Sequence, residues 1–247
     1  MKIREIQTEQ ELRIDLAAVF RLIFEMDMHE SVANHLSATL SQDGKQFLMN
    51  RRWTHFANVT ASSLQLLDSE DESIMQTDEA PDASAWSIHS NVHKSLPEAR
   101  VILHVHSTYA TVLSTLKDPR VLPIDNNTAR FYERIAYDRN FGGIASNNEE
   151  GKRITDTFAG KKALMMGNHG ITVVGETIAE AFEDLYYLEK ACKTMVLAYS
   201  TGQHLNVLPH TIALETAESW DDFRGQSNAH FEQLKCMLDK KGSTYKE

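Results

Sequence analysis

The sequence predicts an α/β domain in which helices cover a central, mixed β-sheet. Three observations carry that class. Stretches with helical and strand periodicity interleave along the chain, the pattern of helices layered on a sheet. Hairpin signals at 35–50 and 163–175 put antiparallel neighbours into that sheet, so it is not purely parallel. With 247 residues, 42% hydrophobic and 24% charged, the chain suits one large globular domain and is short for two.

The elements follow in order. Leu12, Leu16, Val19 and Ile23 recur at helical spacing within 8–28, with Thr8 as N-cap and Glu11 three residues on. HLSATLS (35–41) alternates, QDGK (42–45) supplies an Asp-Gly turn, and QFLMN (46–50) returns as a second strand. VTASSLQLLD (59–68) fits a short helix or a short strand equally well. SEDESIMQTDEAPDA (69–83) is acidic and irregular, and is expected as a solvated loop. SAWSIHSNVHKSLP (84–97) predicts a helix with Ser84 as cap and Pro97 as stop. ARVILHVHS then reads as a strand, and STYATVLSTL (107–116) as a helix capped by Ser107.

Residues 120–145 read as largely irregular, and GKRITDTFAG (151–160) as a short helix. ALMMGNHGITVVG (163–175) reads as two strands around a Gly-Asn-His-Gly turn. Thr177 and Glu180 form a capping box that opens a helix ending near Gly202. Its apolar face holds Phe182, Leu185, Leu188, Cys192, Met195 and Tyr199. Beyond Pro209 come two weaker helical patterns, 212–224 and 228–239.

Composition excludes some function classes. No apolar run reaches 18 residues, so no membrane span is expected. A net charge of -10 repels phosphate backbones and argues against nucleic acid as the main partner. The N-terminal MKIREIQTEQ lacks the apolar core of a signal peptide, so a cytoplasmic chain is expected. Cys192 and Cys236 form no CxxC pair and are expected to be reduced.

The chemistry-bearing stretch is VILHVH (101–106). In a strand Val101, Leu103 and Val105 point one way, and Ile102, His104 and His106 the other. The two histidines then stand about 6.5–7 Å apart at Cα, close enough to converge on one ion at about 2.0–2.1 Å each. The other reading is two hydrogen-bonded histidines in a core strand. A metal needs a third ligand, and His169 is the best candidate, in a tight turn between Gly167 and Gly170. Three histidines with a fourth position open match a catalytic metal site. His89 and His93, at i and i+4 of the 84–97 helix, share a face and are weaker candidates.

Taken together, NHLS (34–37), VTASSL (59–64), AWSIH (85–89), LPEARVILHVHS (96–107) and NHGITVVGETIAEAFEDLYYLE (168–189) resemble the class II aldolase/adducin family over roughly residues 10–200. The resemblance implies a three-layer α/β/α domain over 1–205, with 206–247 as its C-terminal helical extension. It implies a homotetramer with sites at subunit interfaces. It also implies a divalent metal, usually zinc, held by His104, His106 and His169, although histidine triads accept several metals.

Family aldolases use a glutamate in an S-S-E motif as acid and base. Here Ala83, Ser84 and Ala85 occupy those positions, and alanine transfers no proton. Asn34-His35 and Asn50-Arg51-Arg52-Trp53 stand where sugar-phosphate aldolases place phosphate-binding Gly-Asn and Thr-Gly. The chain looks closer to the adducin-like branch, which keeps NH-x-[ST] and lacks the glutamate.

Two functions remain. One is a metal-dependent lyase cleaving a small hydroxy- or keto-acid or sugar derivative, by aldol cleavage or decarboxylation. In it His35, Arg51, Arg52 and Ser84 bind substrate, and His35, His89, Tyr132 or Tyr137 replaces the missing proton-transfer group. The other is a non-catalytic, adducin-like binding or oligomerisation module with a vestigial metal site.

Overall fold

The computed structural model describes residues 7–141, 143, 148–223 and 225–247. Its elements run α1 (Glu9–Glu25), β1 (His35–Thr39), β2 (Gln46–Met49), β3 (Gln65–Asp68), α2 (Ala83–Ser95), β4 (Val101–Val105), α3 (Thr108–Ser114) and α4 (Asn126–Ala129). They continue with β5 (Ile135–Asp138), α5 (Asn148–Phe158), β6 (Ala163–Met166), β7 (Gly170–Gly175), α6 (Ile178–Ser200), α7 (His210–Asp222) and α8 (Gly225–Lys240).

The strands form one sheet in the order β3-β2-β1-β4-β7-β6-β5. Among the described pairs β5 and β6 run parallel, while the others are antiparallel. The sheet is therefore mixed, as the two hairpin signals required. Strand alternation sorts its side chains into two cores. Leu36, Val101, Leu103, Val105, Met165, Ile171 and Val173 join α1 and α6 on one face. Ile102, Leu164, Met166 and Val174 join Ile88 and Val92 of α2 and Ile154 and Phe158 of α5 on the other. Burying each such side chain contributes about 1.5–3 kcal/mol.

Most of the expected elements form, with informative differences. Thr8 and Glu11 make the full capping box of α1. In the ambiguous 59–68 stretch only Gln65–Asp68 becomes strand, by pairing with β2. The acidic 69–83 segment contains a single 3-10 turn, Glu72–Gln76, capped by Asp71. β5 lies in the stretch read as irregular. Four residues at a sheet edge are too few to show alternation, and its pairing with β6 defines it.

Two caps also differ. The α2 helix is capped by Asp82 rather than Ser84, with Oδ1 accepting from the Ser84 and Ala85 amides at 2.9 and 3.2 Å. A carboxylate is the stronger acceptor there and complements the positive end of the helix. Ser107 precedes α3 without a side-chain cap bond. Glu189 of α6 supplies it instead, accepting from the Tyr109 and Ala110 amides at 2.9 Å each and from Ser107 Oγ at 2.7 Å.

The α6 helix buries Phe182, Leu185, Leu188, Cys192 and Met195, while Tyr199, near its end, is exposed. The α8 helix packs on α6 and α1, and α7 packs on α4. Tyr245 is fully buried, and its carbonyl accepts from the Ala61 amide at 2.9 Å, tying the tail to the TASSL stretch. Both cysteines are free. Among the described residues no helix is long and apolar enough to cross a membrane.

Candidate metal centre

The centre lies at the end of β4 on the α2 face of the sheet. His104 is buried in β4, His106 follows the strand by one residue, and His169 sits in the β6–β7 turn. That turn is held close. Asn168 adopts a left-handed φ of 55°, and the His169 amide donates to the Met166 carbonyl at 3.1 Å. A Cβ on Gly170 would stand 2.6 Å from the Val105 carbonyl oxygen, so only glycine lets the turn reach His106.

One ligand atom from each of His104, His106 and His169 lies within 4.8 Å of the others. Hydrogen bonds fix which nitrogens face inward. His104 Nδ1 lies 3.1 Å from the Ile171 carbonyl and 3.0 Å from Thr172 Oγ1. A carbonyl only accepts, so Nδ1 carries the proton. Burial holds His104 well below the usual histidine range, so the neutral ring presents a bare Nε2. His106 Nδ1 lies 2.5 Å from Glu30 Oε2, a carboxylate that orients this ring in the same sense.

The two Nε2 atoms then face each other at 3.1 Å. His104 Nε2 is a bare lone pair, and His106 Nε2 stands close enough to share one cation with it. Two nitrogens at about 2.0–2.1 Å from one tetrahedral ion stand about 3.3–3.4 Å apart. The residues therefore fit a metal by both spacing and donor chemistry. His169, lowered to about 4 by burial and by neighbouring His106, offers the third neutral imidazole.

A pocket of about 520 Å³ opens over these rings, lined also by Glu30, His35, Trp53, Asp82, Ser84 and Asn168. Among the described lining residues Asp82 is the only acid on the α2 side. Burial opposes its ionisation. The Ser84 hydroxyl, the Ala85 and Ser84 amides and nearby His35 outweigh that cost and hold its pKa below the usual range. Trp53 is 70% exposed at the rim, with a strained φ of 62°.

Of the sequence candidates, the structure brings His35 and Ser84 into the pocket with the triad. It does not bring Arg51 or Arg52 there. Arg51 pairs with Glu79 at 2.9 Å, and Arg52 donates to the Asp78 carbonyl at 3.3 Å. His89 is fully buried behind His35. Tyr132 bonds His210 at 3.0 Å. The Tyr137 hydroxyl accepts from the Val121 amide at 3.0 Å, and burial pushes its pKa up. None of these three lines the pocket. Ala85 is buried against Phe47, Met49 and Leu67, so the glutamate's position is filled with apolar packing.

Glu30 and Asp82 were not anticipated, while Trp53 entered only as part of the altered phosphate-binding stretch. Asp82 carried a signal, an acidic residue directly before a helical run. Glu30 and Trp53 lie in loops without periodicity.

Residues 14–196 match the family described as Class II Aldolase and Adducin N-terminal domain. The chain belongs to this family. A Caulobacter vibrioides protein named for aldolase class 2 is 34% identical over 89% of this chain and 82% of its own. Decarboxylase NovR of Streptomyces niveus is 25% identical over 66% of this chain and 58% of its own. The crystal structure of an aldolase II superfamily protein from Pseudomonas syringae superposes with a TM-score of 0.87. It is 26% identical and covers 100% of this chain and 98% of that one. That likeness runs over the tail as well as the matched region.

Proposed function

We propose that this family member is a metal-dependent carbon–carbon lyase acting on a small hydroxy- or keto-acid, with decarboxylation better matched than aldol cleavage. One observation carries the proposal: ligand atoms of three imidazoles converge within 4.8 Å, with His104 Nε2 and His106 Nε2 facing each other at 3.1 Å. His104, His106 and His169 would hold the ion, zinc by donor type, with Glu30 and the Ile171 carbonyl orienting two of the rings. A divalent cation bound there supplies Lewis acidity, polarising a carbonyl beside the bond to be broken.

Ala85 decides between the two chemistries. Aldol cleavage must remove a hydroxyl proton, and Ala85 cannot take it. Decarboxylation releases carbon dioxide from an already ionised acid and asks the protein only to return a proton. Asp82, tied by three donors, is a weak base and a good hydrogen-bond acceptor. No lysine or arginine lines the pocket among the described residues, so the ion itself would meet a substrate carboxylate.

The family pattern supports a homo-oligomer, and exposed Val207, Ile212 and Phe223 on the tail supply apolar surface for contacts between subunits. Sedimentation velocity checks that assembly. The apolar filling around Ala85 favours a second reading, an adducin-like module without activity.

Protein loaded in turn with zinc, manganese and cobalt, and offered a panel of hydroxy- and keto-acids, separates the two. Carbon dioxide release that disappears in His104→Ala is expected. A fully metallated protein that turns over no member of the panel would overturn the lyase reading.

A further inference from the structure

A second set of histidines lies behind the triad, between β1 and α2, and the proposed reaction leaves it unused. His93 Nδ1 lies 2.7 Å from the Ala99 carbonyl. His93 Nε2 lies 2.7 Å from Ser37 Oγ, and Ser37 Oγ also bonds His89 Nδ1. His89 Nε2 lies 2.7 Å from His35 Nδ1. The four side chains are all buried.

The first link fixes every proton in the row. A carbonyl only accepts, so His93 Nδ1 carries hydrogen. Burial lowers His93 to about 4, so its Nε2 is bare at neutral pH and Ser37 must donate to it. The hydroxyl has only one proton, so Ser37 accepts from His89 Nδ1–H. Burial also keeps His89 neutral, leaving its Nε2 to accept from His35 Nδ1–H. His35 is buried as well, and as a neutral ring with its hydrogen on Nδ1 it has Nε2 without a proton. The opposite polarity would need a doubly protonated, fully buried His93. With Nδ1 turned back to His89, the pocket-lining His35 has Nε2 for the ligand.

We infer that the Ala99–His93–Ser37–His89 row locks His35 as a hydrogen-bond acceptor in the pocket, where it selects substrates bearing a hydroxyl donor. The rest of the lining agrees. Glu30 and Asp82 are also acceptors, Ser84 Oγ already donates to Asp82 at 2.5 Å, and no described lining residue is a lysine or arginine. A hydroxyl-bearing acid satisfies such a wall, whereas a plain carboxylic acid leaves a buried acceptor unpaired. The substrate half of the assignment rests on the metal-site reading above; the tautomer half does not. Ser37 is a positioning residue that acts through two histidines.

Two measurements test the inference. Long-range proton–nitrogen correlation spectra of the histidine-labelled protein at neutral pH, assigned with single His→Gln variants, read each tautomer directly. The Nδ1–H form is expected for His93, His89 and His35, and an Nε2–H form of His35 in the wild type would overturn the row. Calorimetry on the zinc-loaded protein then compares lactate with propionate, which differ by one hydroxyl.

The wild type is expected to favour lactate. Ser37→Ala, nearly isosteric, should release the His35 tautomer and reduce the preference about tenfold, the worth of one good hydrogen bond, with zinc content unchanged. A wild type without preference for lactate, or an unchanged ratio in Ser37→Ala, would overturn the substrate half. Failure to take up zinc would instead sink the metal reading, while the same spectra still decide the tautomers.

Discussion

Two groups of three histidines lie on one face of the sheet, and they differ in what their second nitrogens meet. His104, His106 and His169 turn nitrogens toward one another. For His104 and His106 the outer nitrogens are already bound to a carbonyl and a carboxylate. His35, His89 and His93 pass their protons along a row with Ser37, so each bond has one donor and one acceptor. The first group leaves room for a cation among its inner nitrogens, while the second is nearly complete by itself. Histidine content therefore says little about metal binding. The partners of the outer nitrogens decide it.

The contrast can be broken from either side. His169→Ala should cost the most, lowering metal affinity by more than the 10–100-fold typical of losing a partner that only orients a ligand. Its urea midpoint should stay close to wild type, because the turn is held by backbone bonds. His93→Ala should do the reverse, costing about 2–4 kcal/mol in urea unfolding through a cavity and two unpaired groups, with metal content intact.

Acid should probe the buried row directly. The unfolded chain takes up a proton near 6.5, and folded His93 only near 4. Its contribution is therefore full above 6.5, is lost as pH falls through that window, and levels off below about 4. The slope is about 1.4 kcal/mol per pH unit for this one group. Urea midpoints of wild type and His93→Gln between pH 7.5 and 4.5 check the sign, since the variant should lose that share of the slope while the other buried histidines keep theirs.

Glu30→Gln keeps the shape of the His106 partner and removes its charge, and should weaken zinc binding about 10–100-fold in chelator competition. The smallest effect belongs to the rim. Trp53→Gly removes the strain of its φ of 62° and should raise stability by about 1 kcal/mol or less, measured by thermal unfolding.

Much of this was legible in the sequence because strand alternation is a strict rule. VILHVH placed His104 and His106 on one face, and the glycines of GNHG marked a turn able to bring His169 to them. The resemblance named the layers and the same three residues. The side chains of Arg51 and Arg52 turn to Glu79 and Asp78, a choice made by loop geometry that no periodicity records. Glu189 capping α3 from 82 residues away is equally invisible, since the bond exists only after α6 packs on α3. The proton direction through Ser37 also needed coordinates. NHLS displayed the serine, but only the Ala99 carbonyl at the far end sets the polarity.

The central claim is that the triad is an open metal site. Cobalt titration of the metal-free protein, followed by visible absorption, tests it most directly. One cobalt per chain, with intense bands from a low-coordinate nitrogen site, is expected. The bands should shift when a hydroxy-acid is added and be absent in His104→Ala. No uptake, or bands that His104→Ala leaves unchanged, would contradict the claim. Bands insensitive to every added acid would mean a filled fourth position and a structural ion.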